Sequence, residues 1–433
     1  MSSQFRTPVP YRDELPASAD VVIIGAGVIG VSCAFALQAV GRSVLVIDRK
    51  GVAAETSAGN AGAFAFSDII PLATKGMLAR VPGWLADPLG PLTIPPRYLP
   101  RIAPWLVRFW RAGWPDRVQA SIRAQADLMR LSQAETDWLV AQAGIGEKVQ
   151  TIGSLELYES EAEFNRSLPG WAEREKEGIA FEHVRGAALA EQQPGLSDRF
   201  VAGTYVPEWR MVDDPYSYTA AIAAAAHERG ARFALGAVKA LRPVEAGVAL
   251  AFEGGRELAA KQVVVAGGAW SKDLARQMGD RVPLETERGY NTTLPPDAFA
   301  LRRQLIFSGH GFVVSPLATG LRIGGAVELG GLELEPNFRR AEAMLTKARA
   351  FLPGLKPEGG RQWMGYRPSL PDSLPAIGAS RATADIVYAF GHGHLGLTQS
   401  AGTARLIAQL LNREMPGIDL SAFRPQRFAF SRI

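Results

Sequence analysis

Cysteine is nearly absent. Cys33 is the only one in 433 residues, so no disulfide framework can form, and neither a CxxC pair nor the Cys/His spacing of a zinc site occurs. Cys33 itself falls in an apolar helical stretch and reads as a small buried residue. Histidine is almost as scarce. Of five, only His392 and His394 are close together, and no further ligand clusters with them, so no metal is expected. Charge of one sign is lacking too. Lys and Arg number 47 against 43 Asp and Glu, a net +4 spread along the chain, which gives no electrostatic footprint for nucleic acid. Long apolar runs are missing apart from one interrupted stretch after Ala19, so no membrane-crossing helix is expected. The opening MSSQFRTPVP has no apolar signal core. A cytoplasmic setting is the expectation.

What is present begins at Ala19. An apolar β-branched run, Val21 to Ile24, leads into Gly25-Ala26-Gly27-Val28-Ile29-Gly30. A helix-like stretch follows to Gly41, then a second apolar run, Val44 to Ile47, ending at Asp48. This order of strand, glycine turn, helix, strand and acid is the dinucleotide-binding βαβ unit. Gly25 permits the tight turn, Gly27 lets the backbone approach a pyrophosphate, and Gly30 lets the helix pack close to the strand. The unpaired N–H groups of the helix start suit phosphate charge. Asp48, 18 residues after Gly30, can hold ribose hydroxyls and disfavours a 2′-phosphate, so NADP is not expected.

The chain is too long for one ordinary core, and two domains are expected. A small polar segment, Glu55 to Gly62, suits close backbone contact with a flat ligand. Residues 76–115 hold many Pro and Trp residues and read as irregular turns with short helices. Arg117 to Ala143 reads as a long helix with Asp116 as its N-cap and Gly144 past its end. Asp213-Asp214-Pro215 opens another helix, which ends at Arg229. Strands follow at Ala231–Leu235, Val238–Leu241 and Lys261–Ala266. A helix is expected from Arg339 to Phe351, a strand at Ile386–Phe390, and a final helix from Thr398 to Leu411.

Four segments together resemble the D-amino-acid oxidase-like family of FAD enzymes, bacterial D-amino-acid dehydrogenases above all: GAGVIG at 25–30, ETSAGNAGAF at 55–64, MGYRPSLPDSLPAIG at 364–378 and GHGHLGLTQSAGTARLIAQLL at 391–411. The resemblance spans nearly the whole chain. It implies an α/β fold: a Rossmann-like FAD-binding domain (1–75, 201–284 and 361–433) and a discontinuous α+β substrate domain (76–200 and 285–360) built on a largely antiparallel sheet. Gly25, Gly27, Gly30 and Asp48, with Val28, Ile29 and Arg49 beside them, would hold the AMP half of FAD. Thr56, Ser57, Asn60, Ala61 and Gly62 would lie along the pyrophosphate, ribityl and isoalloxazine, Val238 would meet adenine, and Ala266, Gly267 and Trp270 would line the other side. Gly393, His394, Leu395, Gly396, Leu397 and Thr398 would bring backbone N–H groups to the flavin ring. Sarcosine-oxidase-like relatives tether their flavin through a cysteine near the C-terminal part. Cys33 is in the wrong place, so the FAD would be noncovalent.

Arg367, in Gly365-Tyr366-Arg367-Pro368, matches the family's carboxylate-gripping arginine, and a guanidinium fork is the best partner for that group. Tyr290 and Tyr366 stand as second substrate contacts or as core tyrosines. His394 would border the ring or cavity, and His310 would be a pocket residue or none. The implied reaction moves hydride from Cα of an amino acid to flavin N5. The substrate would be a D-amino acid, with cyclic D-proline and hydroxy-D-proline as candidates, or another small amino acid or secondary amine. The electron acceptor is open between oxygen and a quinone or carrier. The alternatives are a glycine- or sarcosine-type amine oxidase using oxygen, and a noncatalytic flavin-binding subunit. Trp84, Trp105, Trp110 and Trp114 with Arg80, Arg97, Arg101, Arg108 and Arg111 mark either an internally packed cap or a peripheral membrane contact at 76–115.

Overall fold

The computed structural model describes residues 8–12, 14–74, 81, 83 and 90–429. Two large sheets organise them. In the first, Ser18–Ile24 lies between Val44–Asp48 and Glu257–Val265, parallel to both. Arg232–Leu235 and Tyr11–Arg12 extend it beyond Val44–Asp48. On the other side Ile386–Phe390 joins in parallel, and Gly247–Phe252 and Val238–Val244 form an antiparallel flap.

Both faces of this sheet are covered, which is why its strands are continuous apolar runs and do not alternate. Val21 and Ile23 pack on one side with the helices Val28–Ala39, Pro215–Glu228 and Ser400–Leu411. Val22 and Ile24 pack on the other with Leu250, Tyr388 and Phe390. All four are at most 9 % exposed, and each such burial is worth roughly 1.5–3 kcal/mol. The helix Val28–Ala39 is apolar all round because it is covered from several sides, and it leaves Cys33 fully buried.

The second sheet runs in the order Arg361–Ser369, Glu285–Leu294, Gly320–Leu329, Phe312–Leu317, Gln304–Phe307, Ser154–Tyr158, Ala202–Val206 and Glu182–Val184. It is antiparallel except where Gln304–Phe307 meets Ser154–Tyr158 and where Leu92–Thr93 joins Gly320–Leu329. The helix Arg339–Phe351 covers one face. A small three-stranded sheet of Ala63–Phe64, Arg210–Val212 and Val149–Thr151 is separate from both.

Several expected boundaries move. Ala202–Val206 and Arg361–Ser369, expected in the first domain, are strands of the second sheet. The long helix, expected in the substrate domain, buries Ile122, Ala126 and Met129 against the helical layer of the first. It starts at Pro115, with Trp114 at the N-cap position. Asp116 stands in its first turn, where it pairs with Arg111. Gly144 ends it at φ +65°, as a left-handed terminator should. The last helix begins at Ser400, two residues after Thr398. Asp214 caps Pro215–Glu228 by accepting from Ser217 N–H at 2.8 Å.

The described part of 76–115 holds a 14-residue helix, Leu99–Ala112, where irregular turns with short helices were expected. Arg80 and Trp84 lie outside the described residues. Prolines near a helix start are tolerated because the first N–H groups have no partner to lose; Pro104 stands further in, against that expectation. Ile102 and Trp105 pack inward on Leu329.

Candidate active site

A cavity of about 1670 Å³ runs from the glycine turn of the first sheet to the face of the second. At the turn, a Cβ on Gly25 would come within 2.4 Å of Ala266 O, and one on Gly30 within 1.9 Å of Gly25 O. Only glycine fits at either position. The helix start has no side-chain cap at Gly27, and the Ser57 hydroxyl accepts from Val28 N–H at 2.9 Å. Asp48 Oδ2 accepts from Ala26 N–H (2.8 Å), while Oδ1 accepts from Lys50 and Gly51 N–H (2.8 and 2.9 Å). The acid therefore braces the turn from within, and its remaining lone pairs face a cavity that it lines. Val238, Ala266, Gly267 and Trp270 line the same end. The Arg49 guanidinium covers the Trp270 ring at 3.8 Å.

The segment 55–62 is strapped down from the second sheet. Arg322 donates to Asn60 O at 2.6 Å, and Asn291 to Gly59 O at 2.9 Å. Burial lowers the Arg322 pKa to about 10. Within the loop, Asn60 donates to Ser57 O and accepts from Gly62 N–H, and Thr56 Oγ1 donates to Tyr366 O. A Cβ on Gly59 would stand 2.2 Å from the Trp363 ring. Ala61 lines the cavity; Gly30 and Gly62 do not.

The turn before the last helix supplies free donors. Gly393 N–H is taken by Pro368 O (2.7 Å), and Leu395 N–H by His392 O (2.9 Å). Those two amides are therefore not available to a flavin, contrary to expectation. Among the described residues, the amides of Gly396, Leu397 and Thr398 find no acceptor, and all three residues line the cavity. Thr398 Oγ1 accepts from Ala65 N–H at 3.0 Å, which ties this turn to the loop opposite. Glycine positions that admit no Cβ, open helix-start amides and these orphan donors fit FAD. Cys33 is buried in the helix core, so no thiol reaches the cavity.

The chemistry of the far end comes from strand periodicity. Along Glu285–Leu294, Glu287, Gly289 and Asn291 line the cavity at the period of two expected of a strand, and Tyr290 lines it as well. Arg367 is the register partner of Glu287. Its guanidinium lies across Gly289, where a Cβ would come within 2.4 Å of Cζ. It donates to Ala326 O at 2.7 Å and to Gly325 O at 3.3 Å. Ala326 takes the left-handed region, φ +54°. Among the described residues nothing accepts the remaining Arg367 N–H groups, and the residue lines the cavity. Burial lowers its pKa, while Glu287 opposes that shift.

Glu287 accepts from Ser369 Oγ at 2.7 Å and meets His394 Nε2 at 2.6 Å. Burial alone would raise its carboxyl, but His394, Ser369 and Arg367 outweigh burial and hold it below the ordinary range.

The other sequence candidates separate. Tyr290 lines the cavity. Its hydroxyl donates to Glu328 Oε2 at 2.6 Å and accepts from Asn337 N–H at 3.1 Å, and its ring belongs to the substrate-side core. Its hydroxyl is committed to Glu328, while the residue both joins this core and lines the cavity. Tyr366 does not line the cavity; its ring packs edge-on against Trp270 at 5.4 Å. His392 turns to Thr403 at 2.9 Å, and burial pushes its pKa down to about 3; it does not converge with His394. His310 pairs with Glu159 outside the cavity.

Sequence reasoning missed Glu287, Arg322, Trp363 and a polar wall of Asp68, Glu156 and Arg174. Period two on Glu285–Leu294 was the one signal that could have exposed Glu287. The others reach the site only through tertiary pairing.

The family described as DAO, FAD dependent oxidoreductase, matches residues 20–410. A D-amino-acid oxidase of Bradyrhizobium diazoefficiens is 39% identical over 422 residues, 96% of this chain and 100% of that protein. A D-amino acid dehydrogenase of Rhizobium johnstonii is 30% identical over 409 residues, covering 92% and 97%. Glycine oxidase from Geobacillus kaustophilus shares the fold, with a TM-score of 0.76 at 22% identity over 95% of this chain and 99% of that one. With a cradle that fits the cofactor and a match over nearly its whole length, this chain belongs to the DAO family of FAD-dependent oxidoreductase enzymes.

Proposed function

We propose that the chain oxidises a free D-amino acid, and that Arg367 holds the substrate carboxylate. The observation that carries this is the convergence of Arg367, Glu287 and His394 on one cavity continuous with the dinucleotide cradle. The relatives named D-amino-acid oxidase and D-amino acid dehydrogenase support the same substrate class. FAD, when bound, supplies the acceptor for the two electrons and the Cα hydrogen that leave the substrate.

The protein supplies position and charge. Arg367, anchored on two carbonyls, offers its remaining N–H groups as a fork and fixes the carboxylate end. His394, oriented by Glu287, is the group that accepts the proton the substrate ammonium must lose before its lone pair can form the C=N bond. Water then hydrolyses the imine to an oxo acid and ammonia, whereas a cyclic imine persists. Gly396, Leu397 and Thr398 offer their amides to negative charge developing on the cofactor side.

The deciding experiment is anaerobic bleaching of the bound flavin across D- and L-amino acids, D-proline, hydroxy-D-proline, glycine and sarcosine. Bleaching by D-amino acids and not by their methyl esters is expected. Equal bleaching by esters removes the carboxylate clamp, and preference for glycine or sarcosine favours the amine-oxidase alternative.

The helix Leu99–Ala112 favours a second reading, for the electron acceptor. Leu99, Val107 and Trp110, then Trp114, are 42–62 % exposed and share one helical stripe at spacings near 3.6. Arg97, Arg101, Arg108 and Arg111 are interspersed among them. Leu99, Trp105, Leu106 and Phe109 of this helix also line the cavity. This arrangement supports peripheral contact with an anionic membrane and a lipid-soluble quinone as acceptor. Among the described residues no helix is long and apolar enough to cross a membrane. Turnover with a quinone far above peroxide formation is the expected result, and matched peroxide formation would make oxygen the acceptor.

A further inference from the structure

Resting on the reading above, we infer that the cavity selects a substrate whose side chain carries a positive charge, held by Asp68 and Glu156. Both carboxylates line the cavity. The Asp68 side chain is 43 % exposed. Glu156 stands on the strand Ser154–Tyr158 and is hydrogen-bonded to Ser308.

The one cation between them is already committed. Arg174 donates from Nε to Ser67 O at 2.9 Å and from Nη1 to Gly170 O at 3.4 Å. Its guanidinium covers the Trp171 ring at 4.6 Å, and Nη2 reaches Asp68 only at 3.5 Å. Among the described residues no cation stands within ion-pair distance of Glu156. Burial raises the pKa of both carboxyl groups, and a cation seated beside them would offset that cost.

A second observation is independent of the acids. Ser154, two residues before Glu156 and so on the same strand face, lines the cavity, is 1 % exposed, and has no hydrogen-bond partner for its Oγ. A buried hydroxyl is rarely left unpaired. Beside Glu156 it provides a further acceptor for an N–H donor. Trp171 and Trp209 line the same part of the cavity, and aromatic faces favour cations. A carboxyl group without an ion-pair partner, an idle hydroxyl and aromatic walls suit a guanidinium or ammonium side chain, with Arg367 left for the α-carboxylate.

The test uses the holoenzyme with D-arginine and D-citrulline, which match in shape and differ in charge, and with D-norleucine and D-proline. D-Arginine should exceed D-citrulline in kcat/KM by roughly 10- to 100-fold, the scale of a desolvated charge pair. Glu156→Gln, and separately Asp68→Asn, should collapse that ratio toward one. A second readout needs no turnover. 5-Guanidinopentanoate, which lacks an oxidisable amine, should raise the Tm of the holoenzyme, and uncharged 5-ureidopentanoate should not. If D-citrulline, D-norleucine or D-proline equals D-arginine, or the ureido acid protects as well, the inference fails while D-amino-acid oxidation stands. If no amino acid bleaches the flavin, both fail.

Discussion

Glu287 couples two functional side chains. It holds His394 at 2.6 Å and stands in register with Arg367. Its carboxyl is held below the ordinary range in the folded protein, so it takes up its proton later on acidification than it does in the unfolded chain. Its stabilisation is therefore complete above the unfolded value of about 4.3 and is lost as pH falls through the lower folded value. Thermal unfolding of the wild type should weaken on acidification below about pH 4.3 more steeply than that of Glu287→Gln. Parallel acid limbs would exclude this role. Arg367→Lys keeps the charge and loses the fork, so kcat/KM should fall by the equivalent of about 2–4 kcal/mol although no charge is lost. Tyr290→Phe should act differently. Removing its bond to Glu328, which keeps Arg288 at 3.1 Å, should cost about 1–2 kcal/mol of stability and leave kcat unchanged. A fall in kcat would return Tyr290 to the site. Arg367 was singled out by the motif at 364–378 and stands inside the strand Arg361–Ser369, whereas the bond of Tyr290 to Glu328 comes from a tertiary pairing 38 residues apart that no local pattern reveals.

At the scale of elements, the glycine turn was fully legible, since every part of it lies within residues 18–48. Asp48→Ala should weaken FAD retention by about 1.5–3 kcal/mol, because the acid braces three backbone N–H groups as well as facing the cavity. Unchanged retention, read by flavin fluorescence on dilution, would show the ribose site to lie elsewhere. The straps on the next loop were not legible, because Arg322 lies 262 residues from the Asn60 carbonyl it holds. The Leu99–Ala112 helix was hidden for a local reason: its prolines read as breakers. Replacing Arg101, Arg108 and Arg111 with Gln should weaken binding to anionic vesicles, with salt acting the same way because charge is screened over about 8 Å at physiological ionic strength. Anaerobic reduction by substrate should be untouched. Vesicle binding that ignores all three changes would leave the helix as a cap and nothing more.

At the scale of the molecule, acid precipitation should leave a colourless pellet and a yellow supernatant carrying FAD, since the one thiol is sealed in the core. A yellow pellet would show a covalent link through another residue. The return of the chain to the first sheet at its C-terminal end, through Ile386–Phe390, was legible from the motifs there. The domain boundaries were not, because a strand such as Ala202–Val206 looks the same whichever sheet it joins.

That return also governs how the protein can be made. The first sheet takes its first strand from Tyr11–Arg12 but receives Ile386–Phe390 as a parallel neighbour of Glu257–Val265, and Ser400–Leu411 then packs on Val28–Ala39. Its pairings span most of the chain. Such long-range order folds slowly, since loop closure precedes any contact that rewards it. On the ribosome the nascent N-terminal strands must wait, exposed, until almost the last residue emerges. A chain stopped at residue 375 should therefore be recovered as aggregate, and overexpression should gain more from chaperones and slow induction than from any single stabilising substitution.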